Sequence, residues 1–132
     1  MNRMFDPWAD ARLIAERQEL PGARLLIFLG AEAWCEKCRI LRPQIEAQAA
    51  SAAANDTWVW LDLEDHAEFL GNYIPEDVPQ LITYEGSVMT TCQTLGTIPS
   101  EISEAVLGPQ NIAAKLADPG IRANLLREDW VM

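Results

Sequence analysis

The chain has 132 residues, 49% of them apolar, and a formal net charge of −10. This suits a single domain with a full-sized core and excludes a disordered chain. The acidic balance argues against nucleic acid or an anionic membrane surface as partner, since both require basic patches. The first ten residues hold no apolar core of signal-peptide length. No run approaches the ~20 apolar residues of a membrane helix, so the cytoplasm is the expected compartment.

Taken in order, Asp6-Pro7 reads as a helix start, with Asp as N-cap and Pro at the first helical position, and the helix is expected to run to about Glu19 before Leu20-Pro21-Gly22. The apolar run Leu25 to Leu29 is short enough for a strand buried on both faces, here over 24–29. A small-residue turn, Gly30-Ala31-Glu32-Ala33, leads to Trp34-Cys35-Glu36-Lys37-Cys38. Cys38, Leu41 and Ile45 then recur at helical spacing, which places a helix over roughly 35–53, its Ala-rich tail favoured by propensity. Residues 57–63, Thr-Trp-Val-Trp-Leu-Asp-Leu, form the next strand. Strand, helix, strand is a βαβ unit, hence a parallel pair with a right-handed crossover.

A short helix is expected over 65–73, then a proline loop over 74–79, a strand over 80–84, a hairpin turn at Glu85-Gly86-Ser87 and a strand over 88–95. Ser100 is placed as the cap of a helix over 101–107. Beyond it, Gly108-Pro109 and Asp118-Pro119-Gly120 divide a tail, 108–132, into two short helical pieces. Its apolar Ile112, Leu116, Ile121, Leu125, Leu126 and Trp130 mark it as packed, on the domain's own surface or else against a partner.

The chemistry follows from the placement of the cysteines. Thiolate, not thiol, is the nucleophile in disulfide exchange. A helix N-terminus carries about half a positive charge and unpaired N–H groups. Cys35 falls there and is expected to be stabilised as thiolate; Cys38, one turn on, is the more buried resolving partner. The competing reading is half of a zinc site, but only Cys92 and His66 remain as further ligands, each alone, so no metal and no cofactor are expected. In a cytosolic chain a Cys-x-x-Cys pair points to redox chemistry or metal binding rather than a permanent staple. Cys92 is read as a small hydrophobe, His66 as solvated.

Trp34-Cys35-x-x-Cys38 followed by Pro43 resembles the active site of the thioredoxin family, whose helix is kinked at the matching proline. Val78-Pro79, running into Leu81-Ile82-Thr83-Tyr84, is similar to that family's cis-proline loop. The resemblance covers about residues 6–107. It implies an α/β fold: a thioredoxin fold, a central mixed sheet flanked by helices, here with a C-terminal helical extension. It divides the chain into a thioredoxin-like domain, 1–107, and the extension, 108–132, packed on it. It further implies a thiol–disulfide oxidoreductase with Cys35 and Cys38 catalytic. Trp34, Val78 and Pro79 would form the docking surface for protein disulfide substrates, and an unidentified reductase would supply electrons. The alternative is a binding or assembly module for a client protein.

Three departures qualify the likeness. Glu36 and Lys37 replace the Gly-Pro common between thioredoxin cysteines; Glu36 should disfavour the thiolate and Lys37 favour it. Counting back from Cys35, Leu29 takes the position of the family's buried Asp. Its strand partner, usually Lys, is Trp60, which makes the two expected neighbours in an uncharged core. Glu32, in the turn, is then the candidate proton acceptor.

Overall fold

A computed structural model describes residues 2–96, 99–107 and 118–127. Strand β1 (Met4–Phe5) is followed by α1 (Ala11–Gln18), β2 (Arg24–Gly30), α2 (Glu36–Ala49), β3 (Asp56–Asp62), α3 (Ala67–Leu70), β4 (Gln80–Glu85), β5 (Val88–Thr94), α4 (Pro99–Leu107) and α5 (Ile121–Leu125). The five strands form one sheet in the order β1-β3-β2-β4-β5. β1, β3 and β2 run parallel, while β4 lies antiparallel to β2 and β5 to β4. This is the mixed, helix-flanked sheet expected from the sequence.

Six of the seven residues of β2 are buried, as its continuous apolar run dictates for a strand covered on both faces. Alternation along the strand sorts them into two layers. Leu26 and Phe28 join Trp58 and Trp60 beneath Cys38, Leu41 and Ile45 of α2 and Ile102 of α4. Leu25, Ile27 and Leu29 join Val59 and Leu61 against Ile14 of α1, Phe69 and Leu70 of α3, and Ile121 and Leu125 of α5.

Several boundaries differ from the expectation, each for a local reason. Strand β1 is too short to leave a period in the sequence; its pairing of Met4 with Trp58 and Phe5 with Val59 defines it. Helix α1 starts at Ala11, not Pro7. The Asp6 carboxylate accepts from the N–H of Trp8 and Ala9, while Asp10 turns back to the N–H of Asp6 and to Arg3, closing a turn of its own over 6–10. Helix α2 stops at Ala49 despite the alanines beyond it. The chain turns there (Ala52 N–H to Ala49 O, Asp56 N–H to Ala53 O) to start β3 at Asp56, whose carboxylate holds Arg24 at 2.9 Å; tertiary position overrides propensity. Ser100 lies inside α4 rather than capping it, because the helix begins at Pro99, a residue with no N–H to leave unpaired. Gly86, at φ +61°, makes the hairpin turn.

Of the tail, the described part packs on the chain's own sheet. Ile121 and Leu125 are buried in the second layer, which stabilises the docked helix by about 1.5–3 kcal/mol each. The Tyr84 hydroxyl donates to Asp118 at 2.6 Å, and Asn124 donates to the carbonyl of Phe69. The first helical piece expected after Pro109, with Ile112 and Leu116, lies outside the described residues, as does Trp130.

Candidate active site

β2 ends at Gly30, and the turn that follows is tied at both ends. The N–H of Cys35 donates to Ala31 O at 2.8 Å, and Asp62, a buried residue at the end of β3, accepts from the N–H of Glu32 at 3.1 Å. The same carboxylate takes the N–H of Glu64 and Asp65. Sequence reading gave Asp62 no role; its place at the close of a strand, just before Glu64-Asp65, is the signal that marks a side chain collecting backbone donors.

This anchoring delivers Cys35 as the N-cap of α2, in extended conformation (φ −108°, ψ 108°), and its sulfur accepts the N–H of Cys38 at 3.3 Å. The two free thiols lie with sulfurs 2.7 Å apart, Cys38 donating to Cys35. They are not equivalent. Cys35 keeps 8% of its surface exposed and Cys38 none. Burial pushes the Cys38 thiol up to about 12; contact with Cys35 acts in the same direction, and the N–H of Ala31, donating to its sulfur at 3.4 Å, opposes. A hydrogen-bonded, partly accessible sulfur at a helix N-terminus beside a buried, protonated one is an arrangement that can open and close a disulfide.

The loop after α3 comes up against the pair. The Val78–Pro79 peptide is cis, and Cys35 Sγ lies 3.9 Å from Val78 O. The Val78 N–H is taken by the Asp77 carboxylate at 2.9 Å. That N–H holds the carboxylate below the usual range, helped by Lys37, whose Nζ reaches Asp77 at 3.4 Å. Lys37 therefore bridges α2 to the proline loop, a contact between positions 40 apart that no local pattern announces. Glu36 sits exposed in the first turn of α2. Trp34, Ile40 and Ile74 are exposed apolar groups, Trp34 at 60% and Ile74 at 84%.

The expected neighbours Leu29 and Trp60 are not neighbours. Leu29 pairs with Leu61 and faces the α1, α3 and α5 layer, while Trp60 pairs with Phe28 and faces α2. One residue of displacement along a strand exchanges faces, so the two positions look to opposite sides of the sheet. The residue beneath the buried cysteine is Gly30. A Cβ built there would lie 3.3 Å from Cys38 Sγ and would collide with the Trp60 ring at Cζ2 and Cη2. The indole occupies the room that the missing side chain leaves. Glu32 does not serve this pocket either. Its carboxylate is held at 2.8 Å by Arg42, which also pairs with Glu46 and lies over the Trp60 ring at 5.1 Å.

His66 is buried, not solvated: its Nδ1 accepts the N–H of Asp62 at 2.8 Å. Cys92 is half-buried near the Tyr73 hydroxyl at 3.8 Å, with its thiol raised chiefly by burial. Among the described residues no three His, Cys, Asp or Glu side chains gather as metal ligands, and no helix is long and apolar enough to cross a membrane.

No family model matches the sequence, and no curated protein does. Solved structures do match. Thioredoxin NaTrxh from Nicotiana alata superposes with a TM-score of 0.63 at 14% identity, over 83% of this chain and 95% of that one. Schistosoma mansoni thioredoxin gives 0.60 at 13%, over 77% and 91%. Trxlp from Edwardsiella tarda EIB202 gives 0.59 at 21%, over 75% and 94%. With β1-β3-β2-β4-β5 order and a Cys-x-x-Cys pair opening α2, the molecule has the thioredoxin fold.

Proposed function

We propose that the protein is a thiol–disulfide oxidoreductase acting on protein disulfides, with Cys35 as nucleophile and Cys38 as resolving thiol. The observation that carries this reading is the asymmetry of the pair. Cys35 sits at the helix cap, hydrogen-bonded and accessible at one edge; Cys38 sits behind it, fully buried. Trp34, Val78 and Pro79 form the docking surface, and Glu36 and Lys37 modulate the thiol pair, Lys37 also bridging to Asp77. Residues 1–107 are the catalytic domain and 108–132 an extension, whose described part, 118–127, packs on it. In the cytoplasm the net direction is reduction, with electrons from a separate reductase.

The test has two parts. Iodoacetamide at neutral pH is expected to label Cys35 of the reduced protein before Cys38 or Cys92, and the dithiol form is expected to reduce insulin with dithiothreitol as electron source. Preferential labelling of Cys38 reverses the assigned roles, and insulin left intact by a protein whose Cys35 is labelled rejects general reductase activity. A second reading, a module that holds a client protein, is favoured by the exposed Trp34 and Ile40, which flank the cysteines along the chain. Trapping on a Cys38→Ser variant separates the two: one captured protein points to the module, many to the reductase.

A further inference from the structure

Cys38 can attack only as a thiolate, so its proton has to go somewhere. Among the described residues, the groups within hydrogen-bonding reach of its sulfur are the Ala31 N–H, itself a donor, and Cys35 Sγ. Once Cys35 is bonded to a client, its sulfur carries no charge to receive a proton.

The nearest charged side chains make their contacts elsewhere, though the charge of Lys37 also reaches Cys38 and favours its thiolate. On α2, Lys37 reaches Asp77 of the proline loop, and Arg42 holds Glu32 of the turn and Glu46. At the end of β3, Asp62 is taken up by the N–H groups of Glu32, Glu64 and Asp65, and its own N–H is received by His66. Beneath the sulfur, Gly30 offers no side chain, and the Trp60 ring fills the space a Cβ there would take. Leu81 and Leu95, with Ile102 and Ala105 of α4, complete an apolar enclosure.

We propose that Gly30 and Trp60 together withhold a base from Cys38, so that release of a client, not its capture, is the slow and pH-governed step. The inference rests on the reading of Cys35 as nucleophile and Cys38 as resolving thiol, and both new residues act through Cys38 as positioning residues.

In capture, the Cys35 thiolate's electron pair forms a bond to one sulfur of a client disulfide. The old S–S pair leaves on the other sulfur, which takes a proton from water. In release, Cys38 gives its proton to water or hydroxide and its electron pair bonds to Cys35 Sγ. The pair of the Cys35–client bond then leaves on the client's sulfur. The client disulfide has gained two electrons and the dithiol has lost two. Only the release step needs a thiolate formed inside the apolar enclosure.

The experiment is single-turnover reaction of the reduced full chain, carrying Cys92→Ser to silence the third thiol, with a millimolar aromatic disulfide that frees one coloured thiolate at capture and a second at release. The second release is expected to climb about tenfold per pH unit from pH 6 to pH 9 without a plateau, following the thiolate fraction of Cys38. Acid quenching at pH 6 should find the mixed disulfide on Cys35 by mass spectrometry. Trp60→Phe keeps the apolar floor and should keep that slope. Gly30→Asp combined with Trp60→Leu puts a carboxylate beneath the sulfur. It should speed release at pH 7 at least about tenfold and flatten the profile, which a loss of packing alone would not do.

A first release followed by a second that is flat between pH 6 and pH 8 in the Cys92→Ser chain overturns this inference and leaves the oxidoreductase reading standing. Absence of the first release overturns both. If the double variant does not fold, the pH profile of the Cys92→Ser chain decides alone.

Discussion

The two faces of the sheet reach full burial by opposite means. On the side of α1, α3 and α5, branched and aromatic side chains fill the space, and the hydroxyl of Tyr84 at the edge finds an acceptor in Asp118. On the side of α2, a glycine stands where a side chain would point at the cysteines, and an indole from the neighbouring strand slides into the gap. The first face holds the molecule together by addition. The second sets the surroundings of a reactive sulfur by omission, and it leaves a position where any Cβ would press on the indole.

Substitutions can test that contrast. The largest effect is expected for Leu29→Asp, on the filled face. It loses about 1.5–3 kcal/mol of apolar burial and adds about 1–3 kcal/mol for an unpaired buried carboxyl. Desolvation raises the folded-state pKa of that Asp above its unfolded value of about 3.9. The folded state then holds its proton longer, so the deficit is smallest near pH 4 and grows as pH rises. Because Trp60 lies on the other face, adding Trp60→Lys should leave the two costs additive within about 0.5 kcal/mol in denaturant titrations. Strong positive coupling would return the two residues to one face.

Next is Gly30→Ala. A methyl group driven against the indole should cost about 1–3 kcal/mol, and Trp60→Leu in the same chain should recover part of it. Gly30→Ala without penalty breaks the contrast outright. On the filled face, Tyr84→Phe removes the bond to Asp118 and should lower stability by about 1 kcal/mol, with thiol reactivity unchanged.

The pH dependence separates the faces again. Cys38 is raised from 9.0 to about 12, mainly by burial. The folded state keeps that proton where the unfolded chain has lost it, so stability of the reduced protein falls as pH rises above 9 and levels off near 12. Tyr84, raised by burial and by Asp118, acts the same way but only above its ordinary value of 10. Urea midpoints of Cys38→Ala and Tyr84→Phe between pH 8 and pH 11 should each remove one component, the cysteine's beginning first. The smallest expected change is Trp34→Ala. As an exposed side chain it should alter stability by no more than about 0.5 kcal/mol while insulin reduction falls several-fold. Unchanged turnover removes Trp34 from the docking surface.

Much of this was legible in the residues. The run at 25–29 announced a doubly covered strand, and the thiol spacing with Leu41 and Ile45 announced the helix that positions the pair. What escaped was whatever depends on how a turn is threaded. Residue 29 was assigned by counting through 30–34, and the count fails to say which face a strand's last residues present. Glu32 read as a free carboxylate because its captor, Arg42, lies two turns into the helix. His66 read as solvated because its partner is a backbone N–H at Asp62. Strand β1, two residues long, has no period to detect.

Gly30 and Trp60 also constrain the routes by which this sequence can change. Any residue larger than glycine at position 30 meets the ring first, so a carboxylate cannot enter there in one step without a collision. Trp60 has to shrink beforehand, and a smaller residue at 60 leaves a void beneath α2 until position 30 grows. Each order of events passes through a less stable chain, by overcrowding in one and by a cavity in the other. The two positions are therefore epistatic, and a library varied at either one alone should return the original residue, whereas a library varied at both opens sequences that single changes cannot reach.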